Sequence, residues 1–294
     1  MSTPACVVIT PSRNEEKHLP KTIASMVSQT LRPQKWILVN DGSTDKTGEI
    51  MDEAAREHGW IKAVHRADRG FRKAGGGVIE AFYDGYPLLG EERWDFITKL
   101  DGDLSFGPGY FADCVEHFRR DGKLGIGGGT VCSVASGGEK AEAHGDPPFH
   151  VRGAVKMYRR ACWEGIGGLR KATGWDTIDE VKANMLGWTT GTFADLKLTH
   201  HRFAGEADGA WKNWVKNGRA NYVTGYHPLF MFCKCVSRLV KKPYGVAAAG
   251  LWFGFVSGYF RRVPQVDDRE MIQYLRREQM RRLTLRRSLW TTKD

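Results

Sequence analysis

The sequence predicts an α/β fold with a mostly parallel central sheet flanked by helices, and three observations carry that expectation. Short, near-continuous apolar runs of strand length recur along the first hundred residues. Stretches with apolar residues at helical spacing separate them. Each run stops in a polar, turn-rich cluster, and in a parallel sheet those ends gather on one edge, where open sheets hold their ligands. A chain of 294 residues with 41% hydrophobic and 11% aromatic residues can bury a full core.

Ala5-Cys6-Val7-Val8-Ile9-Thr10 is the first strand, closing in the turn Pro11-Ser12-Arg13-Asn14-Glu15-Glu16. Leu19, Ile23, Met26 and Val27 then mark a helix. Trp36 to Asn40 is the second strand, ending in Asp41-Gly42-Ser43-Thr44-Asp45, where Thr44 or Asp45 can cap a helix running toward Arg56. Ile61 to Val64 is a short third strand. Arg69 through Gly77 follows, and its Gly75-Gly76-Gly77 leads into a helix through Val78, Ala81 and Phe82. Here Arg72 and Lys73 can neutralise phosphate while the glycines let backbone N–H groups approach it. Asp41 can accept from a base N–H or a ribose hydroxyl. No GxGxxG follows the first strand, so a dinucleotide reading is weak.

Trp94 to Asp103 is the pivotal stretch, an apolar run that ends abruptly in Asp101-Gly102-Asp103. Two carboxylates this close repel unless a cation lies between them. Mg²⁺ or Mn²⁺ suits such oxygens and bridges substrate phosphates, and Gly102 removes a side chain where a diphosphate must come close.

The three blocks Val8–Glu16, Val39–Asp45 and Leu100–Asp103 together resemble family 2 glycosyltransferases of the GT-A fold, which are Rossmann-like. The resemblance implies that Pro11, Asn14, Glu15 and Asp41 contact a nucleoside. It also implies that Asp101 and Asp103 bind the metal, Asp103 as the likelier direct ligand. Many members carry a further acid where this chain has Leu104. Gly153 to Arg160 reads as a strand returning to the sheet, and Trp163 to Leu169 resembles the family's glycine-pair turn. Counting back from Gly187-Trp188 puts Asp176 on the family's general base, but Trp175 stands where members have Glu, so Asp179 or Glu180 is the fallback. Such a base takes a proton from the acceptor hydroxyl. Leu196 to Arg202 is a further strand, and His200 or His201 can supply a third metal ligand. Neighbouring strand residues face opposite ways, and parity with Leu196 and Leu198 favours His200.

The chain divides into residues 1–230, the catalytic domain, and 231–294, a basic helical extension. From Met231 onward the net charge is +9, against +1 before it. That asymmetry points to an anionic membrane surface and away from a nucleic-acid partner. Pro243 to Phe260 is uncharged but broken by glycine, serine and proline, which predicts a hairpin or interfacial insertion rather than a span. The stretch from Arg269 to Trp290 reads as a basic amphipathic helix for anionic lipid or a partner. Six scattered cysteines without CxxC spacing, and Met1-Ser2-Thr3-Pro4 running straight into a strand, predict a cytoplasmic enzyme, peripheral or monotopic at the inner face of the cell membrane.

The expected activity is metal-dependent, inverting transfer of one sugar from a UDP- or GDP-sugar to a hydroxyl of a lipid-linked or polysaccharide acceptor. The Gln-x-x-Arg-Trp signature of processive relatives is absent, so single additions are expected. The alternatives are a nucleotidyltransferase, though Pro11–Glu16 is not a lysine-rich triphosphate loop, and a membrane-bound adaptor that has lost catalysis.

Overall fold

The computed structural model describes residues 3–71, 75–135, 138–141, 146–202, 209–241 and 243–291. Four strands come first: β1 (Cys6–Ser12), β2 (Lys35–Asn40), β3 (Ile61–His65) and β4 (Phe96–Leu100). They pair in parallel in the order β3-β2-β1-β4. Helices α1 (Leu19–Val27), α2 (Thr47–Glu57) and α3 (Gly76–Gly85) make the crossovers.

Both faces of this half-sheet are covered, which explains its unbroken apolar runs. Cys6, Val8, Trp36 and Leu38 point toward α1 and α2, and join the aromatic side of α4 (Tyr110–Arg120). Val7, Ile9, Ile37 and Val39 point the other way, toward α3, α5 (Arg160–Ile166) and the start of α6 (Trp175–Met185). Asp45 satisfies the first turn of α2 by accepting from the Thr47 backbone N–H at 3.0 Å.

The parallel arrangement gives way after β4. The remaining strands are β5 (Leu104–Phe106), β6 (Leu124–Ala135), β7 (Gly138–Ala141), β8 (Val155–Arg159) and β9 (Thr189–His200). β8 runs antiparallel to both β4 and β6, β9 parallel to β6, and β5 antiparallel to β9, so the whole sheet is mixed. The β5–β9 pairing sets Leu104 opposite His200, and thereby brings the Asp-Gly-Asp turn to the histidine pair.

Helices α7 (Gly209–Thr224), α8 (Pro228–Arg238), α9 (Val246–Phe260) and α10 (Arg269–Leu283) share one core with Ile178 and Val181 of α6. Two expectations change here. Residues 246–260 form one continuous helix, because the glycines that looked like breaks are its contact surface. A Cβ on Gly254 would strike the Val215 carbonyl oxygen, and one on Gly218 the Leu251 carbonyl oxygen. The apolar stripe of α10 is spent inside the protein: Met271 and Leu275 are fully buried, so that helix offers lipid only its arginine face. No helix among the described residues is long and apolar enough to cross a membrane.

Candidate active site

The C-terminal ends of β1, β2 and β4 lie side by side, so the loops that follow them share one rim. Neighbouring strands are about 4.8 Å apart, which puts Asp41 and Asp101, one strand to either side of β1, roughly 10 Å from each other. Pro11 and Ser12 still pair with β2, opposite Val39 and Asn40.

The loop after β1 is pinned to the loop after β2. Asn14 takes a left-handed backbone (φ 55°), its N–H donates to Ser43 Oγ at 3.0 Å, and its side-chain oxygen accepts from the Thr44 N–H at 2.9 Å. Glu15 is thereby turned inward, where Arg202 Nη2 lies 2.9 Å from its Oε1. Its other oxygen is buried with no hydrogen-bond partner. Burial, reinforced by the charge of Asp103 and opposed by Arg202, pushes its carboxyl up to about 8. Asp41 is gripped by both Arg66 and Arg69, with Arg13 Nη1 donating to its carbonyl at 2.8 Å.

Asp103 is buried beside His200, whose Nε2 is 3.2 Å from Oδ2, while Oδ1 has no partner. Burial pushes the Asp103 carboxyl up, but the His200 contact and the positive charges of Arg202 and Lys99 outweigh it and hold the group below the usual range. Asp101 pairs with the buried ammonium of Lys99. Desolvation, with Asp103 nearby, raises its carboxyl against the pull of Lys99. His201 faces elsewhere: its Nε2 is 2.9 Å from Ser105 Oγ and its ring stacks on His18 at 6.0 Å. The two histidines therefore divide as strand alternation requires, with His200 toward the carboxylates.

The buried, unpartnered oxygens of Asp103 and Glu15, with His200 beside Asp103, are donors of the kind a hard divalent cation takes. Among the described residues no three His, Cys, Asp or Glu side chains are gathered closely enough to hold an ion unaided.

Asp176 sits in the first turn of α6, half-buried. It lies close to Gly153, where an added Cβ would come within 3.3 Å of Asp176 Cβ, and the Gly153 carbonyl accepts from the Lys99 ammonium at 2.6 Å. Trp175 lies over a lysine pair, with Lys99 Nζ at 5.4 Å and Lys156 Nζ at 5.5 Å from its ring. The indole thus gives both ammoniums a π face at the position where an acid was expected.

Three expectations are corrected. Asp179 and Glu180, the fallback bases, are 3% and 0% exposed and closed to any acceptor. Lys156 Nζ pairs with both, at 3.0 and 2.7 Å, Tyr158 Oη donates to Asp179 at 2.5 Å, and His150 lies 2.9 Å from Glu180. Gly102 makes room for Ser12 Oγ and Leu19 rather than for diphosphate. Gly75 and Gly76 make room for Thr173 and Lys171, seating the loop that leads into α6. Arg72 and Lys73 lie outside the described residues.

Sequence reasoning missed Lys99, Lys156, Arg66, Arg69 and Arg202. A signal existed for two of them. Lys99 and Lys156 are lone charges inside otherwise apolar strand runs, and Lys99 shares parity with Asp101.

The family model described as Glycosyl transferase family 2 matches residues 7–167, more than half of the chain. The chain is 35% identical over 100 residues to the uncharacterized glycosyltransferase EpsJ of Bacillus subtilis, covering 34% of this chain and 26% of that protein. It is 30% identical to the poly-beta-1,6-N-acetyl-D-glucosamine synthase of Staphylococcus epidermidis over 38% of this chain and 25% of that one. The matches thus span only about a quarter of these relatives' length. Among solved structures, the mannosyltransferase PcManGT of Pyrobaculum calidifontis, in complex with GDP-Man and Mn²⁺, aligns with a TM-score of 0.55 at 14% identity, over 98% of this chain and 77% of that one. S. aureus TarS 1–349 in complex with UDP-GlcNAc aligns with a TM-score of 0.54 at 15% identity, over 92% and 79%. At such identities the structural likeness speaks for the fold.

Proposed function

The chain belongs to glycosyl transferase family 2, and from that premise we propose that it moves one sugar from a nucleotide-diphosphate donor to an acceptor hydroxyl with inversion. The observation that carries this reading is the pair of buried, unpartnered carboxylate oxygens on Glu15 and Asp103 beside Asp101 and His200. Desolvated carboxylate oxygens without partners are costly unless a ligand completes them.

In this reading Asp103, Asp101 and His200 hold Mg²⁺ or Mn²⁺, which when bound offsets charge on the leaving diphosphate. Asp41, steered by Arg66 and Arg69, receives the nucleoside, with Pro11 and Asn14 shaping the wall beside it. Arg72 and Lys73, outside the described residues, would neutralise phosphate charge by their chemistry. Asp176 takes the acceptor proton as the hydroxyl attacks the anomeric carbon, and Lys156 holds the backbone behind it, donating to the Asp176 carbonyl at 2.5 Å. A one-step displacement of this kind inverts the anomeric centre.

The donors named for PcManGT and TarS, GDP-Man and UDP-GlcNAc, make GDP- and UDP-sugars the first candidates. Relatives named as polysaccharide synthases favour a glycan or lipid-linked acceptor, used at the cytoplasmic face of the membrane. Family membership sets the nucleotidyltransferase aside. An adaptor without catalysis has no use for unpartnered buried carboxylates.

Thermal-shift titration of the purified chain with UDP-, GDP- and dTDP-sugars, each with and without Mn²⁺, tests this directly. One donor class should stabilise the protein in a manner that requires the metal. Indifference to all three would overturn the reading.

A further inference from the structure

We propose that the outer face of α8, α9 and the connection between them docks the enzyme on an anionic lipid bilayer, lying among the headgroups. The inference assigns a surface to the membrane partner proposed above and rests on that reading, although its test needs no turnover.

The face is apolar where a free protein surface should not be. Phe232 is 53% exposed, Phe253 52% and Phe260 84%. Leu229, Val236 and Val240 continue the α8 side, and Tyr244 stands in the connection. Ring contacts join the three helices into one plate: Phe232 meets Trp252 at 6.0 Å, and Phe253 meets Trp211 of α7 at 6.0 Å. The inner face of α9 is already filled by α7, backbone against backbone at Gly218 and Gly254, so the outer aromatics are surplus to the core.

Charge names the occupant. From Gly209 to Val266 there is no Asp or Glu, and there are nine Lys or Arg. Lys241 borders the plate beside the connection, and Arg261 and Arg262 border it at the end of α9, all exposed. A second copy of the chain would set two such positive faces together. An anionic bilayer offers negative headgroups to the rim and acyl chains to the aromatics. No described helix is long enough to cross, so the plate lies in the interface.

The test is co-sedimentation of the full chain with vesicles of phosphatidylcholine alone, and with vesicles in which about 30% is phosphatidylglycerol. The chain should partition into the anionic vesicles about tenfold better than into the neutral ones, and raised salt should erode the difference. Two triple variants should each lower that partition about tenfold or more: Phe232→Ser with Phe253→Ser and Phe260→Ser, and Lys241→Glu with Arg261→Glu and Arg262→Glu. Unchanged circular dichroism and an unchanged thermal shift with nucleotide sugar would show that both variants still fold. The proposal is overturned if the parent chain ignores both vesicles or the variants bind as it does. A dimer by analytical ultracentrifugation that the serine variant dissolves, without vesicle binding, would also overturn it in favour of a second copy. Vesicle binding by a chain that no nucleotide sugar stabilises would sink the sugar-transfer reading and leave the docking surface standing.

Discussion

Glu15 and Asp103 face each other across a site that disfavours a second negative charge, and Glu15 is the one that yields. A carboxyl whose folded pKa lies above its unfolded value takes up a proton on folding, so its contribution is full below about 4.5 and fades as pH rises toward 8. The metal-free protein should therefore lose thermal stability across that window, and Glu15→Gln should flatten the slope; an identical slope in the variant would remove Glu15 from this role. The carboxylates of α6 separate just as cleanly. Asp176→Asn should cut sugar transfer by roughly 10²–10⁴-fold while sparing donor affinity, because only the proton acceptor is lost. Asp179→Asn should instead cost about 3 kcal/mol in denaturant unfolding, since it removes a partner of the buried Lys156. Wild-type transfer rates in Asp176→Asn would dismiss it as the base. The acids of the rim were legible because each ends an apolar run, and the run itself says where a strand stops. Their cationic partners were not. Arg66 and Arg69 reach Asp41 from beyond β3, and Arg202 reaches Glu15 from the far end of β9, distances in sequence that no local pattern spans.

At the scale of elements, the early strands and helices could be read in order, because a half-sheet buried on both faces writes its core as continuous apolar runs. β6 was hidden by its glycines, Gly125 and Gly127 to Gly129, which leave room for the Cys162, Phe193, Val155 and Leu198 neighbourhoods and weaken any strand signal. α9 was misread for the same reason. Glycine lowers helix propensity, yet here it lets two backbones touch, and tertiary packing outweighs propensity. The prediction that belongs to this scale is Gly254→Leu. A side chain there has no space before the Val215 carbonyl, so the variant should lose about 3 kcal/mol or more of stability in denaturant. Gly245→Ala, with nothing near its missing Cβ but a φ of 70°, should cost far less, roughly 1 kcal/mol. Equal losses would mean that backbone conformation, and not helix contact, is what the glycines supply.

Over the whole molecule, the sheet changes character between its halves, and the candidate site lies at that change. The parallel half delivers Asp41 and Asp101; the antiparallel and late strands return His200, Arg202 and the start of α6 to the same rim. Groups far apart along the chain are therefore joined through the fold. If the proposed cation is shared between these side chains and the donor diphosphate, metal and nucleotide should depend on each other. Mn²⁺ alone should shift the melting temperature little, nucleoside diphosphate alone little, and the two together by more than their sum. A coupling of about 1–3 kcal/mol corresponds to roughly 5–150-fold tighter nucleotide binding in the presence of metal, and by reciprocity the same factor for metal in the presence of nucleotide. Calorimetric titrations run in both orders would measure both factors. Asp103→Asn should abolish the coupling and leave the metal-free nucleotide affinity in place. Strictly additive binding would mean that cation and diphosphate do not share a site, and the rim would then have to be read without a metal at its centre.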